Sequence, residues 1–212
     1  MTQTPRILVL GGGYVGLYTA MRLQKKLHRG EARITVVDPR PTMTYQPFLP
    51  EAAAGSLEPR HVVVPLRRVL RKSEILTARV DQISHAERRV RVVPNEGAPY
   101  DLCYDVLVVA LGSVARTLPI PGLAEEAIGF KQVEEAIALR NHVLDRLDVA
   151  AATEDKERCR RALSFVFVGG GYAGVEALAE LEDMARYAVE RYYPDIDPAH
   201  LRFVLVEASG RI

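Results

Sequence analysis

A chain of 212 residues with 48% hydrophobic and 26% charged residues carries enough apolar material for one large domain or two smaller cores. Its 28 Lys and Arg nearly balance its 27 Asp and Glu, so a formal net charge of +1 excludes a global field for nucleic acid. Only two cysteines are present, Cys103 and Cys159, far apart in the chain. That spacing offers neither a disulfide framework, nor a C-x-x-C redox pair, nor a metal-ligand pattern, and it suits a reducing cytoplasmic interior.

Taken in order, Met1 to Pro5 is a short polar tail rather than a basic-then-apolar leader. The stretch Ile7 to Gly16, ILVLGGGYVG, is an apolar strand that runs into a glycine turn with the spacing G-x-G-x-x-G. Gly11 lets the chain leave the strand through a tight turn, and Gly13 lacks the Cβ that would hold a pyrophosphate away from the backbone. Gly16 lets the following helix pack closely on the sheet. That helix is expected over Tyr14 to Leu27, with Val15, Leu17, Met21, Leu23 and Leu27 at helical spacing and Lys25, Lys26 and His28 at the end where cations suit the dipole. A second apolar strand, Arg33 to Asp38, ends in an acid placed to accept hydrogen bonds from ribose hydroxyls.

The segment Pro39 to Pro50 holds four prolines and two aromatics and is expected to be irregular. Tyr45, Gln46, Pro47 and Phe48 are read either as lining a flat aromatic ligand or as surface packing of a proline-rich loop. Short helices are expected around Glu51 to Gly55 and Leu66 to Lys72, then an antiparallel hairpin of Glu74 to Ile83 and Arg88 to Val93. His85 falls in its turn, which argues against a metal or catalytic role. After a turn at Asn95 to Pro99, the run Tyr104 to Gly112 is expected to be a central parallel strand buried on both faces, with Gly112 admitting a ligand at its end.

Prolines 119 and 121 make Thr117 to Gly122 a linker between units, and a helix is expected over Lys131 to Ala151. Phe165 to Gly174, FVFVGGGYAG, then repeats the first cradle almost letter for letter, with Gly169, Gly171 and Gly174 in the same spacing. Its helix, Tyr172 to about Tyr192, is stopped by Tyr193, Pro194, Asp195 and Pro198, and the strand Leu201 to Glu207 again ends in an acid. The small residue expected four positions after the third glycine is Ala20 in the first copy but Leu178 in the second. The basic clusters at Arg67, Arg68, Arg71 and Lys72, at Arg88, Arg89 and Arg91, and at Arg158, Arg160 and Arg161 read as solvated faces, because acids are interspersed. No apolar run approaches the ~18 residues of a spanning helix.

The expected fold class is α/β, with two Rossmann-like dinucleotide-binding units: a first unit over residues 1–115 with an added β-hairpin, and a second over residues 116–212. One β-α-β unit cannot cover both faces of a sheet, so the second unit is expected to be incomplete and the chain to be part of a longer protein.

GGGYVG, Asp38, YDVLVVALGS and GGGYAGVE resemble the two-dinucleotide flavoprotein oxidoreductases of the pyridine-nucleotide type. YQPFLPEAAAGSLEP and the long helix ending in RYYPDI before FVLVEASGRI are similar to the type II NADH dehydrogenases, single-subunit NADH:quinone oxidoreductases, over essentially the whole chain. The resemblance implies FAD in the first cradle, against Gly11, Gly13, Gly16, Asp38, the backbone of Val80 and Gly112. It implies NADH in the second, against Gly169, Gly171 and Gly174, with Glu207 on the ribose 2′-hydroxyl. Glu207 would repel a phosphate there and favour NADH over NADPH, although Arg211 nearby opposes this. Glu176 corresponds to the family glutamate near the nicotinamide and quinone region, where it would position substrate or relay protons; the other reading is a first-turn glutamate stabilised by the helix dipole.

The implied reaction moves hydride from NADH to FAD and electrons on to a quinone, with no protein nucleophile or metal. The alternatives are an NADH-dependent reductase of a ferredoxin-like acceptor or of oxygen, a sulfide:quinone-type relative, and a nucleotide-binding module without turnover. The last FAD-contacting segment and a membrane-associating C-terminus would lie beyond Ile212, so peripheral contact with the cytoplasmic face of a membrane is expected only through them. A homodimer is the possible assembly.

Overall fold

The computed structural model describes residues 4–114 and 119–210. In chain order they form β1 (Arg6–Leu10), α1 (Tyr14–Lys26), β2 (Arg33–Asp38), β3 (Thr42–Thr44), α2 (Leu49–Ala54), β4 (Val63–Pro65), α3 (Leu66–Val69), β5 (Glu74–Ser84), β6 (Arg89–Pro94), β7 (Tyr100–Cys103) and β8 (Val106–Val109). There follow α4 (Leu123–Glu126), α5 (Val133–Ala152), α6 (Lys156–Ala162), β9 (Ser164–Val168), α7 (Tyr172–Tyr192) and β10 (Arg202–Val206). The class is α/β, with each glycine turn set between a strand and the helix it opens.

Two compact units result, and they are not separated by a single cut. One comprises residues 4–44 and 63–114, the other residues 45–62 and 119–210. The chain leaves the first unit after β3 and returns at β4, and these two short strands pair antiparallel, Thr44 opposite Val63. The excursion they flank is closed by the Tyr45 N–H donating to the Val62 carbonyl at 2.7 Å. The expected boundary at 115/116, the start of the Thr117 to Gly122 linker, most of the N-terminal tail and Arg211 lie outside the described residues.

The first unit is a six-stranded sheet in the order β7-β6-β5-β2-β1-β8. β5 changes partner type along its length: Glu74 to Thr77 run parallel to Thr35 to Asp38, and Ala78 to Ser84 run antiparallel to β6. The expected hairpin is therefore the continuation of a central strand. It gains a third member in β7, which the sequence reading passes over as a turn and its exit.

Alternation of side chains puts Val9 and Val36 on one face with Leu17, Ala20, Leu66 and Leu70. Leu8, Leu10 and Val37 lie on the other face with Val90, Val92 and Tyr104. Tyr104 is 2% exposed, and its hydroxyl is 3.0 Å from His85 Nδ1. A buried hydroxyl without a partner costs about 1–3 kcal/mol, which gives His85 a structural task.

The strand read as central is an edge. β8 pairs with β1, Ile7 opposite Val106 through Leu10 opposite Val109, and with no other strand among the described residues. Val106 is 50% and Val109 58% exposed, so the apolar run YDVLVVALG is not buried on both faces. An apolar strand records a demand for cover; the covering groups need not come from the same segment of chain.

In the second unit β9 and β10 form a parallel pair, Ser164 opposite Arg202 through Val168 opposite Val206. α2 packs against α5 and α7 and buries Leu49, Pro50, Ala52 and Ala53. α5 starts two residues later than expected, because the Glu135 carboxylate reaches back to accept the N–H groups of Lys131 and Gln132 at 2.6 and 2.8 Å, which fixes those two residues outside the helix. α6 was not expected. Its start lies in Asp155, whose Oδ1 accepts from the N–H groups of Glu157 and Arg158. Tyr193, just past α7, donates its hydroxyl to Asp148 of α5 at 2.7 Å; burial and the adjacent carboxylate push its pKa up to about 12.

Arg88 is, among the described residues, the non-glycine residue with a positive φ, +52°. The left-handed region costs a side-chain-bearing residue about 1–2 kcal/mol, against about 0.5–1 kcal/mol of chain entropy lost by a glycine. Arg88→Gly is therefore expected to raise the unfolding free energy by about 0.5–1 kcal/mol, read from urea melts with an unchanged m-value. A destabilised variant would contradict the strain assigned to this turn.

Candidate functional site

Each of the two glycine turns sits at the C-terminal end of a parallel strand pair, where ligands of open α/β sheets bind. The turns share their backbone geometry at the first glycine. Gly11 and Gly169 have φ of +100° and +109°. Their N–H groups donate to the carbonyls of Val37 and Val206 at 2.7 and 2.8 Å. Gly13 and Gly171 then occupy the N-cap positions of α1 and α7, and neither makes a side-chain cap.

Neither helix has an acid in its first turn. The partial positive charge of each N-terminus is thus left for an anion.

Gly13 and Gly171 differ from Gly16 and Gly174 in what they permit. A Cβ at Gly13 or Gly171 would meet nothing within 4 Å, so the space before each helix is open on that side. A Cβ at Gly16 would lie 1.7 Å from the Gly11 carbonyl oxygen, and one at Gly174 2.1 Å from that of Gly169. Here the helix backbone presses on the turn. The substitution of Leu178 for the expected small residue does not open this packing, since α7 buries Ala177, Leu181 and Ala185 instead.

The acids are tied into the turns through a residue that the sequence reading passed over. The Gly12 N–H donates to Asp38 Oδ2 at 2.7 Å, and the Gly170 N–H donates to Glu207 Oε2 at 2.6 Å. The other oxygen of each carboxylate accepts the N–H two residues further on, Arg40 to Asp38 Oδ1 at 2.8 Å and Ser209 to Glu207 Oε1 at 2.9 Å. A Cβ at Gly12 would lie 2.6 Å from Leu66 Cδ1 and 3.3 Å from Asp38 Cβ; one at Gly170 would lie 3.1 Å from Glu207 Oε2. The signal was present as three consecutive glycines where the motif needs only the first and third.

Asp38 is buried at 8% exposure. The Ser209 and Gly170 N–H groups hold the Glu207 carboxyl below the usual glutamate range. Each carboxylate retains lone pairs after its two backbone bonds and can accept hydroxyls as well.

Gly112 has a φ of +69° and open space where a Cβ would be. It lies two residues beyond Ala110, whose carbonyl oxygen is 2.1 Å from the Cβ position of Gly11, so the end of β8 runs alongside the first turn. Val80 lies opposite Val92, three residues past the Asp38–Thr77 pair. That places it on the same end of the sheet, about 10 Å further along β5.

Glu176 is exposed and is the fifth residue of α7. It stands beyond the first turn, which removes the reading as a first-turn glutamate. Tyr45 and Phe48 belong to the second unit and rest on each other edge to face, ring centroids 4.9 Å apart. Cys103 and Cys159 are free thiols, one in each unit.

Residues 5–212 match the family described as pyridine nucleotide-disulphide oxidoreductase. The chain belongs to that family. Among pyridine nucleotide-disulphide oxidoreductases it is 32% identical over 222 residues to the external alternative NAD(P)H-ubiquinone oxidoreductase B2, mitochondrial, of Arabidopsis thaliana, covering 100% of this chain and 37% of that protein. It is 34% identical over 209 residues to the type II NADH:quinone oxidoreductase of Staphylococcus aureus, covering 98% of this chain and 50% of that protein. The solved structure of NDH2 from Plasmodium falciparum in complex with NADH superposes with a TM-score of 0.88 at 25% identity, over 95% of this chain and 41% of that one. The chain spans half or less of the length of these relatives. Among its described residues no helix is long and apolar enough to cross a membrane.

The two kinds of cradle glycine are expected to separate in experiment. Gly16→Ala should cost at least ~3 kcal/mol of stability or prevent folding, because its Cβ cannot be relieved by a side-chain movement. Gly13→Ala should leave the melting curve within about 1 kcal/mol and instead weaken dinucleotide binding about tenfold or more. For Glu207 the depressed pKa means that its contribution is present above the ordinary glutamate value and lost as pH falls through the lowered one. A carboxyl-carbon NMR titration should put its midpoint below that of free glutamate, and Gly170 and Ser209 amide shifts should follow the same curve.

Proposed function

We propose that the chain supplies the two dinucleotide cradles of a type II NADH:quinone oxidoreductase: FAD in the first and NADH in the second, with a quinone as electron acceptor. The observation that carries this reading is the twofold occurrence of a glycine turn whose acid is held by the turn itself, together with relatives named for NADH and quinone. The open sides of Gly13 and Gly171, facing uncapped and acid-free helix starts, fit a pyrophosphate in each.

In the first unit Gly13 admits the pyrophosphate, Asp38 accepts a ribose hydroxyl, and Gly112 allows close approach at the end of β8. The backbone of Val80 serves the adenine, and Gly11 and Gly16 keep the turn in shape. In the second, Gly169 and Gly174 shape the turn and Gly171 admits the pyrophosphate. Glu207 accepts the ribose 2′-hydroxyl and disfavours a phosphate at that position by like charge. Glu176 positions substrate or passes a proton near the reacting groups. The chemistry supplied by bound FAD is hydride acceptance and onward electron transfer; the residues of this chain bind, orient and discriminate. The protein's place is the cytoplasmic face of a membrane, as a peripheral protein and in homodimeric form.

The complete gene product should be yellow and should oxidise NADH with stoichiometric reduction of a short-chain quinone; a colourless protein inert to NADH would remove the assignment. Asp38→Ala should weaken FAD binding about tenfold or more, since it removes a charged acceptor and leaves the Gly12 N–H without its partner, a loss of about 1.5–3 kcal/mol. Glu207→Gln should reduce the preference for NADH over NADPH, measured as the ratio of kcat/KM values, about tenfold. An unchanged ratio would withdraw Glu207 from specificity.

A further inference from the structure

The two cradle acids are held alike at one oxygen and unlike at the other. Glu207 follows β10 directly, and its Oε2 accepts the Gly170 N–H at 2.6 Å, as Asp38 Oδ2 accepts that of Gly12 at 2.7 Å. The second oxygen of each accepts the N–H two residues on, and there the residue types part: Arg40 in the first cradle, Ser209 in the second.

A serine at that place brings a second donor. Only Cα and Cβ separate its hydroxyl from its own N–H, so an oxygen bonded to that N–H at 2.9 Å lies within reach of the hydroxyl too. The Ser209 hydroxyl bonds to the Glu207 carboxylate and joins the Ser209 and Gly170 amides in lowering its pKa. Arg40 has no hydroxyl to add.

The second acid has more need of such a donor than the first. Asp38 is short and buried at 8% exposure, whereas Glu207 is half-buried and has one more side-chain torsion. A longer and less enclosed carboxylate has more rotamers to leave by. Gly170 confines it on one side: a Cβ there would lie 3.3 Å from both Cβ and Cγ of Glu207, so the side chain runs along that backbone. Ser209 confines it at the carboxylate end.

We infer that Ser209 is a positioning residue of the second cradle: its hydroxyl holds the Glu207 carboxylate in the turn-bound pose, in which it accepts the ribose 2′-hydroxyl and opposes a phosphate there. The inference rests on the proposed function, which sets NADH against Glu207. It makes discrimination between the two nucleotides a property of the pair rather than of the acid alone. Without the hydroxyl the carboxylate spends part of its time turned to solvent, where it neither meets the ribose nor repels the phosphate.

The test is calorimetric binding of NAD+ and NADP+ to the complete gene product with FAD bound; the oxidised nucleotides leave the flavin unreduced. Ser209→Ala should weaken NAD+ about threefold and lower the ratio of the NADP+ to the NAD+ dissociation constant by about the same factor. FAD content and the thermal melt should not change. Ser209→Thr, which keeps the hydroxyl, should retain both wild-type values. In a Glu207→Gln background, Ser209→Ala should alter the ratio no further, because no charge is left to position. A ratio unmoved by Ser209→Ala, where Glu207→Gln lowers it, would overturn the role of Ser209 and leave the nucleotide assignment standing. So would a loss confined to NADP+, which would make the hydroxyl a phosphate donor instead. If the wild type takes up neither nucleotide, or Glu207→Gln leaves the ratio untouched, the assignment of NADH to this cradle falls and the inference falls with it.

Discussion

Everything at the cradles depends on a hydrogen bond between neighbours in space that are far apart in sequence: a carboxylate at the end of one strand accepts the N–H of the middle glycine in the turn leaving the adjacent strand. The bond does two things at once. It satisfies a backbone donor that the turn would otherwise strand, and it holds the carboxylate at the lip of the site with lone pairs to spare. The fold thus meets the ordering cost of placing the acid, whatever the carboxylate then accepts. The same arrangement recurs at Gly12–Asp38 and Gly170–Glu207, with donor–acceptor distances of 2.7 and 2.6 Å.

The two copies differ in their surroundings rather than their chemistry. In the first, the acid is short and buried, and the turn is braced by Leu66 from α3 and by Ala110 at the end of β8. In the second, the acid is longer, and the nearest atoms to Gly170 are those of Glu207 itself.

Much of this was legible in the residues. β2 and α7 were found to the residue, because each is bounded by strong punctuation: Gly30 and Asp38-Pro39 for the strand, the glycine turn and Tyr193-Pro194 for the helix. The cradles were legible because glycine spacing is a local rule. What was missed is non-local. Nothing in YDVLVVALG says that β8 stands at an edge, since apolarity gives no strand order. The Gly12 and Gly170 contacts needed the acid's position in space. β7 and α6 are short, and their signals, alternation over Tyr100–Cys103 and the cap at Asp155, are weak beside the turn residues around them.

The excursion of residues 45–62 has a consequence for how the chain comes off the ribosome. α2 buries Leu49, Ala52 and Ala53 to 1% exposure or less, and the helices it packs against are α5 and α7. At roughly 5–20 residues per second, the roughly seventy residues between Val62 and Val133 occupy several seconds of synthesis before the first of those helices begins, and α7 comes later still. During that interval the N-terminal sheet can pair its strands in order, while α2 holds its apolar face out in solution. The second unit thus contains a piece that is made early and finished late, and its folding is tied to the completion of a chain segment far downstream.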